Sequence, residues 1–67
     1  MSKFAERLRE TLELRNLSQR GLALKLNVSQ KTINHLCLGE RYPSFALLIA
    51  IAKELDESID WLVGLVD

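Results

Sequence analysis

Apolar side chains recur at helical spacing in five separate stretches of the 67-residue chain. Phe4, Leu8 and Leu12 lie four residues apart, which predicts an amphipathic first helix from Lys3 to about Arg15. The apolar positions of the later stretches are Leu22, Ala23 and Leu26; Ile33, Leu36 and Cys37; Leu48, Ile51, Ala52 and Leu55; and Ile59, Leu62, Val63 and Val66. The pattern predicts an all-α fold, a compact bundle of five short helices in one domain over residues 1–67.

Small polar residues and glycines predict where each helix begins and ends. One serine precedes each of the second to fifth helices, where its oxygen can accept a backbone N–H: Ser18, Ser29, Ser44 and Ser58. Asn16 and Gly39 are placed to end the first and third helices, and Asn27 lies where the chain must reverse direction. Gly21, inside the second helix, costs about 1 kcal/mol relative to alanine, and the usual reason for such a glycine is close approach of another group.

Charge is distributed unevenly along the chain, although the net charge is zero. Residues 1–43 carry eight basic and four acidic side chains, whereas residues 44–67 carry one basic and five acidic ones. Because the positive part contains the second and third helices, its local field favours an anionic partner. The outer face of the first helix is predicted to be exposed to solvent, and consists of Glu6, Arg7, Arg9, Glu10 and Glu13.

The third helix carries a polar face opposite its apolar one. Gln30, Lys31, Asn34 and His35 are spaced i, i+1, i+4 and i+5, directly after a serine cap. A polar helix face is usually only solvated, but these side chains are long or carry amides, and they follow a short helix and a tight turn. Over about residues 18–38 this arrangement favours a helix-turn-helix that reads base edges in the major groove of DNA.

Composition argues against several other functions. One cysteine and one histidine can form neither an internal disulfide nor a metal cluster, and a single free cysteine fits the reducing cytoplasm. The longest apolar run, Phe45 to Ala52, has eight residues and is too short to span a bilayer, and the first residues lack the apolar core of a signal peptide. The sequence has no glycine-rich phosphate loop and no catalytic constellation, so we expect neither an enzyme nor a cofactor.

Three residues have more than one interpretation. His35 has no second ligand nearby in the sequence, which argues against metal binding and against pH sensing. Cys37 lies on the apolar side of the third helix, where packing as a small hydrophobic residue is favoured over redox sensing. Trp61 is in phase with Ile59 and Leu62, which favours the core or the edge of a dimer interface over stacking on a ligand.

Residues spread over nearly the whole chain resemble one known family. From residue 4 to about residue 65 the following stand in register: Leu17-Ser18-Gln19, Leu22-Ala23, Lys25-Leu26, Val28-Ser29, Ile33, Gly39, Pro43-Ser44, Leu48, Ile51-Ala52, Leu55 and Asp60-Trp61-Leu62. This series resembles the phage Cro and repressor type of helix-turn-helix, also called the xenobiotic-response-element (XRE) family. The resemblance implies a lambda-repressor-like DNA-binding domain whose third helix is the recognition helix.

The resemblance also implies roles at the matching positions. It implies base reading by Ser29, Gln30, Lys31, Asn34 and His35. It implies contacts with the DNA backbone by Gln19, Arg20, Thr32, Arg41, Tyr42 and Ser44, with Gln19 also bracing the recognition helix. Because one recognition helix reads only a few base pairs, we expect a weak homodimer that assembles on a pseudo-palindromic operator. The apolar residues available for its interface are Leu38, Trp61, Leu65 and Val66.

The chain departs from the family pattern at several positions. The family commonly pairs an arginine in the first helix with a glutamate near the end of the third, whereas this chain has Leu12 and Cys37 there. We expect these two side chains to touch in the core, where an apolar contact in place of a buried ion pair is neutral or stabilising. Asn27 replaces the turn glycine, and Leu38 occupies a position that is usually polar.

The sequence leaves three functions open. The first is a sequence-specific transcriptional regulator, in particular a phage or bacterial repressor whose partner is a double-stranded DNA operator. The second is an antitoxin-like module that binds both DNA and a protein. The third is a protein-interaction module of the same fold, for which the zero net charge is the main argument. None of the three requires a membrane or a small-molecule ligand.

Overall fold

The computed structural model describes residues 3–67, so Met1 and Ser2 of the predicted domain lie outside the described residues. Residues 3–67 form five helices, which confirms the predicted all-α bundle. Their bounds are α1 Lys3–Leu14, α2 Gln19–Leu26, α3 Gln30–Cys37, α4 Phe45–Leu55 and α5 Ile59–Leu62. Within the described chain, no helix is long and apolar enough to cross a membrane.

Local capping explains most of the helix boundaries. The four predicted serines each accept a backbone N–H three residues later, at distances of 2.9 to 3.2 Å. Asn16 and Asn27 adopt left-handed backbone conformations, with φ of 54° and 57°, and Asp56 does the same after α4 with φ of 54°. Asparagine and aspartate tolerate this region better than other residues with a Cβ, so three of the helix ends follow directly from the sequence.

The core lies where all five helices meet. The buried apolar side chains come from every helix: Phe4, Leu8, Leu12, Leu22, Ala23, Ile33, Leu36, Cys37, Ile51, Ala52, Leu55 and Leu62. Leu17, Leu26, Val28, Leu47, Leu48, Ile59 and Trp61 are partly buried and pack around this cluster. The three core-facing residues of α3 are therefore fixed inside the protein, and this orients the opposite side of the helix outward.

The glycine inside α2, Gly21, lies beside Leu17, which precedes that helix and packs against the core. A Cβ on Gly21 would stand 2.9 Å from Leu17 Cδ1 and 3.2 Å from Ser18 Oγ. The second contact matters because Ser18 Oγ is the cap that accepts the Gly21 N–H. Close approach by these two side chains therefore accounts for the glycine.

The prediction that the outer face of α1 is wholly solvated is wrong for Arg7. Its side chain is buried, and its guanidinium donates hydrogen bonds to the backbone carbonyls of Trp61 and Val66. It also lies 4.8 Å from the centre of the Trp61 ring and 3.7 Å from the carboxylate of Asp67. Arg7 therefore joins α1 to α5 and to the segment that follows it.

The fifth helix is shorter than its apolar spacing predicted. It ends at Leu62, and Val63 and Val66, which were expected on its apolar side, are exposed. Gly64 has φ of 88°, and a Cβ there would lie 2.8 Å from Lys3 Cβ. The chain therefore leaves the helical path after one turn and passes close to the start of α1.

Candidate nucleic-acid interface

Helices α2 and α3 form a helix-turn-helix whose second helix is buried on one side only. Asn27 turns the chain after α2, and Ser29 caps α3 through the Thr32 N–H. Ile33, Leu36 and Cys37 hold α3 against the core. The predicted base-reading residues lie on the opposite side: Ser29, Gln30, Lys31 and Asn34 are exposed, and His35 is half-buried.

A hydrogen bond between side chains braces α3 against the start of α2. Asn34 Nδ2 donates to Gln19 Oε1 across a distance of 3.1 Å. The contact leaves the second amide hydrogen of Asn34 and the amide NH₂ group of Gln19 available to other partners. The bracing expected of Gln19 is therefore present in the structure, and its contact with a phosphate remains a prediction.

The start of α3 is organised by its own cap. Ser29 Oγ accepts the Thr32 N–H at 3.1 Å and shares a hydrogen bond with the Thr32 hydroxyl at 2.8 Å. Both contacts lie within the first turn, so they fix the orientation of the helix start. The first-turn N–H groups of α3 carry the partial positive charge of a helix N-terminus, which attracts phosphate.

A polar cleft separates α3 from the loop before α4. It is lined by Ser29, Lys31, Thr32, His35, Leu36, Arg41, Tyr42, Pro43, Ser44 and Leu47. The cleft brings the predicted backbone contacts Thr32, Arg41, Tyr42 and Ser44 next to the predicted base-reading residues Lys31 and His35. Ser44 also caps α4 by accepting the Leu47 N–H at 3.2 Å, which places a second helix N-terminus at the same cleft.

Several basic side chains of the helix-turn-helix and of the loop after it are not paired with carboxylates in the described part of the chain. Among the described residues, Arg20, Lys31 and Arg41 form no ion pair, whereas Lys25 pairs with Glu54 at 3.9 Å and Arg15 pairs with Glu57 at 3.7 Å. The acidic residues after position 43 therefore offset basic residues away from α3. The zero net charge of the chain is compatible with a positive surface at the helix-turn-helix.

One pair at this face was missed in the sequence. His35 Nδ1 lies 3.5 Å from Glu40 Oε1, and the Glu40 N–H donates to the His35 carbonyl at 3.0 Å. From the sequence, Glu40 was considered only as one of the acidic residues. Its position one residue after Gly39 could have indicated the pair, because a left-handed residue after a helix turns the chain back toward the last helical turn.

The end of α3 is held by an arginine of α1 that was predicted to be only solvated. Arg9, although exposed, donates from its guanidinium to the backbone carbonyl of Cys37, the last residue of α3.

Leu12 and Cys37, which replace the family's ion pair, are both buried in the same apolar cluster. Burial raises the pKa of the Cys37 thiol, and the positive charge of Arg9 opposes this effect in part. Within the described residues, no cluster of His, Cys, Asp and Glu is placed to hold a metal ion.

The residues predicted for a dimer interface differ in exposure. Leu38, Leu65 and Val66 are exposed, whereas Trp61 is half-buried and lies under the guanidinium of Arg7. Two further exposed aromatic side chains, Tyr42 and Phe45, flank the start of α4. Tyr42 also lines a groove of about 330 Å³, together with Lys3, Phe4, Pro43, Leu48 and Val63.

Comparison with known proteins identifies the same fold and family. The sequence profile of a helix-turn-helix family matches residues 8–62. The uncharacterised HTH-type transcriptional regulator YqaE of Bacillus subtilis (strain 168) is 33% identical over 60 residues, which are 90% of this chain and 52% of that protein. The crystal structure of a transcriptional regulator from Listeria innocua superposes with a TM-score of 0.86 at 36% identity, and covers 96% of this chain and 60% of the Listeria chain.

The chain thus spans between half and two thirds of the length of these two relatives. The profile match extends from the middle of α1 to the last residue of α5, and so includes all of α2, α3 and α4. The family inferred from the residues is confirmed: the chain belongs to the Cro/C1-type (XRE) helix-turn-helix family, a non-enzymatic family of DNA-binding transcriptional regulators.

Proposed function

We propose that this domain is a sequence-specific DNA-binding regulator that inserts α3 into the major groove. The observation that carries the proposal is the outer side of α3. There, Gln30, Lys31 and Asn34 are exposed on a helix whose other side is locked into the core. An α-helix fits the width of the major groove, and exposed amide and ammonium groups match the hydrogen-bonding pattern of base edges.

Lys31 and Gln30 are the proposed main readers of sequence. An ammonium group donates to the O6 and N7 acceptors of guanine, and a glutamine amide both donates to and accepts from adenine. Asn34, which already donates to Gln19, has one amide hydrogen and its oxygen left for a base or a phosphate. His35 and Ser29 complete the proposed base-reading surface.

The residues around the cleft would position the domain on the phosphates. Arg41 and Arg20 carry positive charges without ion-pair partners in the described chain, and Tyr42 is exposed beside Arg41. Gln19, Thr32 and Ser44 lie at the N-terminal turns of three helices, where backbone N–H groups favour anions. Such contacts set the register of α3 on the duplex and add affinity that depends on salt but not on sequence.

We further propose that two copies bind a pseudo-palindromic operator. Three or four base contacts of about 1–3 kcal/mol each discriminate too weakly to select one site in a genome. A dyad that places two α3 helices about 34 Å apart doubles the sequence that is read. Leu38, Leu65 and Val66 would supply exposed apolar surface for this contact, and Trp61, fixed by Arg7, would form its edge.

The proposed consequence of operator binding is repression, as in a phage or bacterial repressor. A small domain seated on an operator blocks access of other proteins to the same DNA. The relatives described above support a regulator, since both carry the name transcriptional regulator.

Selection from a random pool of duplexes tests the proposal. The expected result is one enriched sequence with two related half-sites about ten base pairs apart. Affinity for that duplex should fall steeply with salt, because phosphate contacts release counterions. Enrichment of no sequence, together with affinity that does not change with salt, would instead favour a protein-interaction module.

Sedimentation tests the dimer separately. We expect a monomer at micromolar protein concentration and a complex of two proteins on the selected duplex. A duplex that carries only one half-site should bind one protein with lower affinity. A one-to-one complex on the complete selected site would refute the dimer and leave the DNA-binding proposal intact.

A further inference from the structure

The loop after the recognition helix places a carboxylate beside the only histidine of the chain. Glu40 Oε1 lies 3.5 Å from His35 Nδ1, and the side chain of His35 is 26% exposed. Two backbone hydrogen bonds hold the loop in this position: Gly39 N–H donates to Leu36 at 3.2 Å, and Glu40 N–H donates to His35 at 3.0 Å. The backbone therefore holds the two side chains close together.

His35 lines the cleft that faces the proposed DNA, and Glu40 lies beside His35. The other titratable or charged side chains that line this cleft are Lys31, one turn earlier on α3, and Arg41 and Tyr42 of the loop. From α4 and its cap the cleft receives Leu47 and Ser44, neither of which titrates. Without DNA, Glu40 is the negative charge next to His35, and Lys31 and Arg41 are the positive ones.

The carboxylate determines which hydrogen-bonding role remains for the imidazole. A carboxylate only accepts hydrogen bonds, so the pair favours a proton on His35 Nδ1. In the neutral ring, Nε2 is then an acceptor, whereas in the protonated ring Nε2 becomes a donor while Nδ1 keeps its partner. Protonation thus changes the role of Nε2 without breaking the contact with Glu40.

We propose that His35 and Glu40 form a proton-linked pair in the DNA-reading face, so that binding of DNA is accompanied by uptake of a proton at His35. This proposal rests on the proposed function, because it requires α3 to lie against DNA. With His35 neutral, the pair carries one negative charge toward the phosphates. With His35 protonated, the pair is neutral overall and offers an N–H donor to a phosphate or to a purine acceptor.

The sign of the effect follows from these charges. Phosphates add negative potential around His35, and a negative potential favours the protonated imidazole. The complex therefore holds the proton more tightly than the free protein, and DNA affinity rises as the pH falls. The measurement therefore spans the range around neutral pH in which histidine as a residue type changes its charge. A tenfold difference in proton affinity between free and bound protein gives a change in DNA affinity of up to about tenfold.

Fluorescence anisotropy of a labelled duplex, recovered by selection from a random pool, tests this inference between pH 5.5 and 8.5 at constant salt. The wild-type chain should bind more tightly at low pH, with a slope of at most one proton. His35→Gln cannot take up this proton, so its affinity should vary little with pH. Equal slopes for the wild type and His35→Gln would overturn the proposal.

Glu40→Gln provides a second test. Loss of the carboxylate should raise affinity at all pH values, because one negative charge beside His35 is removed. The dependence of affinity on pH should also differ from that of the wild type, because the carboxylate beside His35 Nδ1 is gone. Glu57→Gln is the matched control: Glu57 is a half-buried ion-paired glutamate whose partner is Arg15, and its substitution should leave the pH profile in place.

The outcomes are distinguishable from failure of DNA binding itself. If Glu40→Gln has the same pH profile and the same affinity as the wild type, the pair does not act on DNA binding and the inference is wrong. If the wild type binds no duplex at any pH, even at low salt, the proposed function fails first. Thermal melting of each variant separates these results from loss of folding.

Discussion

Replacement of Arg7 by alanine should remove a large part of the stability of this domain. A domain of 67 residues is expected to have a free energy of unfolding of about 3–10 kcal/mol. Arg7 is buried and bonds two backbone carbonyls that come from Trp61 and Val66. In the alanine variant the carbonyl of Val66 loses this donor, the carbonyl of Trp61 keeps only the backbone N–H of Gly64, and the ring of Trp61 loses the cation above it.

The size of the loss follows from these contacts. A hydrogen bond from a charged donor contributes about 1.5–3 kcal/mol, and a cation over an aromatic ring contributes about 1 kcal/mol. Water can reach Val66, which is half-exposed, and so replaces part of what is lost there. The contact with Asp67 adds nothing to this sum because that carboxylate is fully exposed. We therefore expect Arg7→Ala to lower the free energy of unfolding by about 2–4 kcal/mol.

Urea denaturation followed by far-UV circular dichroism measures this loss, and the fluorescence of Trp61, the only tryptophan, reports on the same contact. Arg15→Ala is the matched control, because Arg15 also ends in an ion pair but its side chain is 44% exposed. The control should cost less than about 1 kcal/mol. The loss of stability in Arg7→Lys should lie between these two values. A lysine ammonium lacks the planar guanidinium that donates to both carbonyls and lies over the ring.

The result that would refute this reasoning is equal stability of Arg7→Ala and Arg15→Ala. Arg7 would then be solvated in solution, as its place among charged neighbours in the sequence suggested. An unchanged emission of Trp61 in Arg7→Ala would lead to the same conclusion. A loss in Arg7→Ala with no loss in Asp67→Asn would support the role of the two carbonyls over that of the ion pair.

Further predictions concern the DNA face and the buried side of α3. Lys31→Ala should lose about 1–3 kcal/mol of discrimination between the selected duplex and a random one in competition binding; equal weakening of both would make Lys31 only a phosphate contact. Arg41→Ala should weaken binding to all duplexes and lower the salt dependence by about one ion, and an unchanged slope would exclude Arg41 from the interface. Cys37→Ser should cost about 1–3 kcal/mol in urea denaturation, because the buried site offers a hydroxyl poor partners. Because burial raises the pKa of Cys37, its thiol should react slowly with an alkylating reagent near pH 8, and rapid reaction in the folded chain would contradict this.

Features that depend on neighbouring residues were predictable from the sequence. Ser18 and Ser29 cap helices through N–H groups three residues later, and Asn27 adopts the left-handed conformation that its place in the turn required. The exposed side of α3 also followed from spacing, because Ile33 and Leu36 mark the opposite side as core. Each of these inferences needs only a few consecutive residues.

Features that depend on distant partners were not predictable in the same way. The burial of Arg7 requires carbonyls that lie 54 and 59 residues later in the chain. The early end of α5 accompanies a backbone turn at Gly64 against Lys3, at the other end of the chain. Spacing along one helix contains no information about either contact.

The candidate site shows the same division. The placement of Lys31 on the outer side of α3 was predictable, whereas the pairing of His35 with Glu40 depends on the path of the loop after α3. Roles toward DNA at both positions remain predictions, because they concern a molecule outside this structure. The surface that faces outward was thus predictable from spacing, whereas the pairs formed on it depend on the folded path of the chain.

The contacts of Arg7 also bear on the order in which the protein folds. Contacts between α2 and α3 join residues close in sequence, whereas the bonds of Arg7 close loops of 54 and 59 residues. Closing a longer loop costs more chain entropy, so local pairs form first and the ends of the chain are joined late. In the folded protein, local unfolding would then begin with detachment of residues 61–67 from α1. The helix-turn-helix would keep its hydrogen bonds during this step. Amide hydrogens of α5 should accordingly exchange before those of α3.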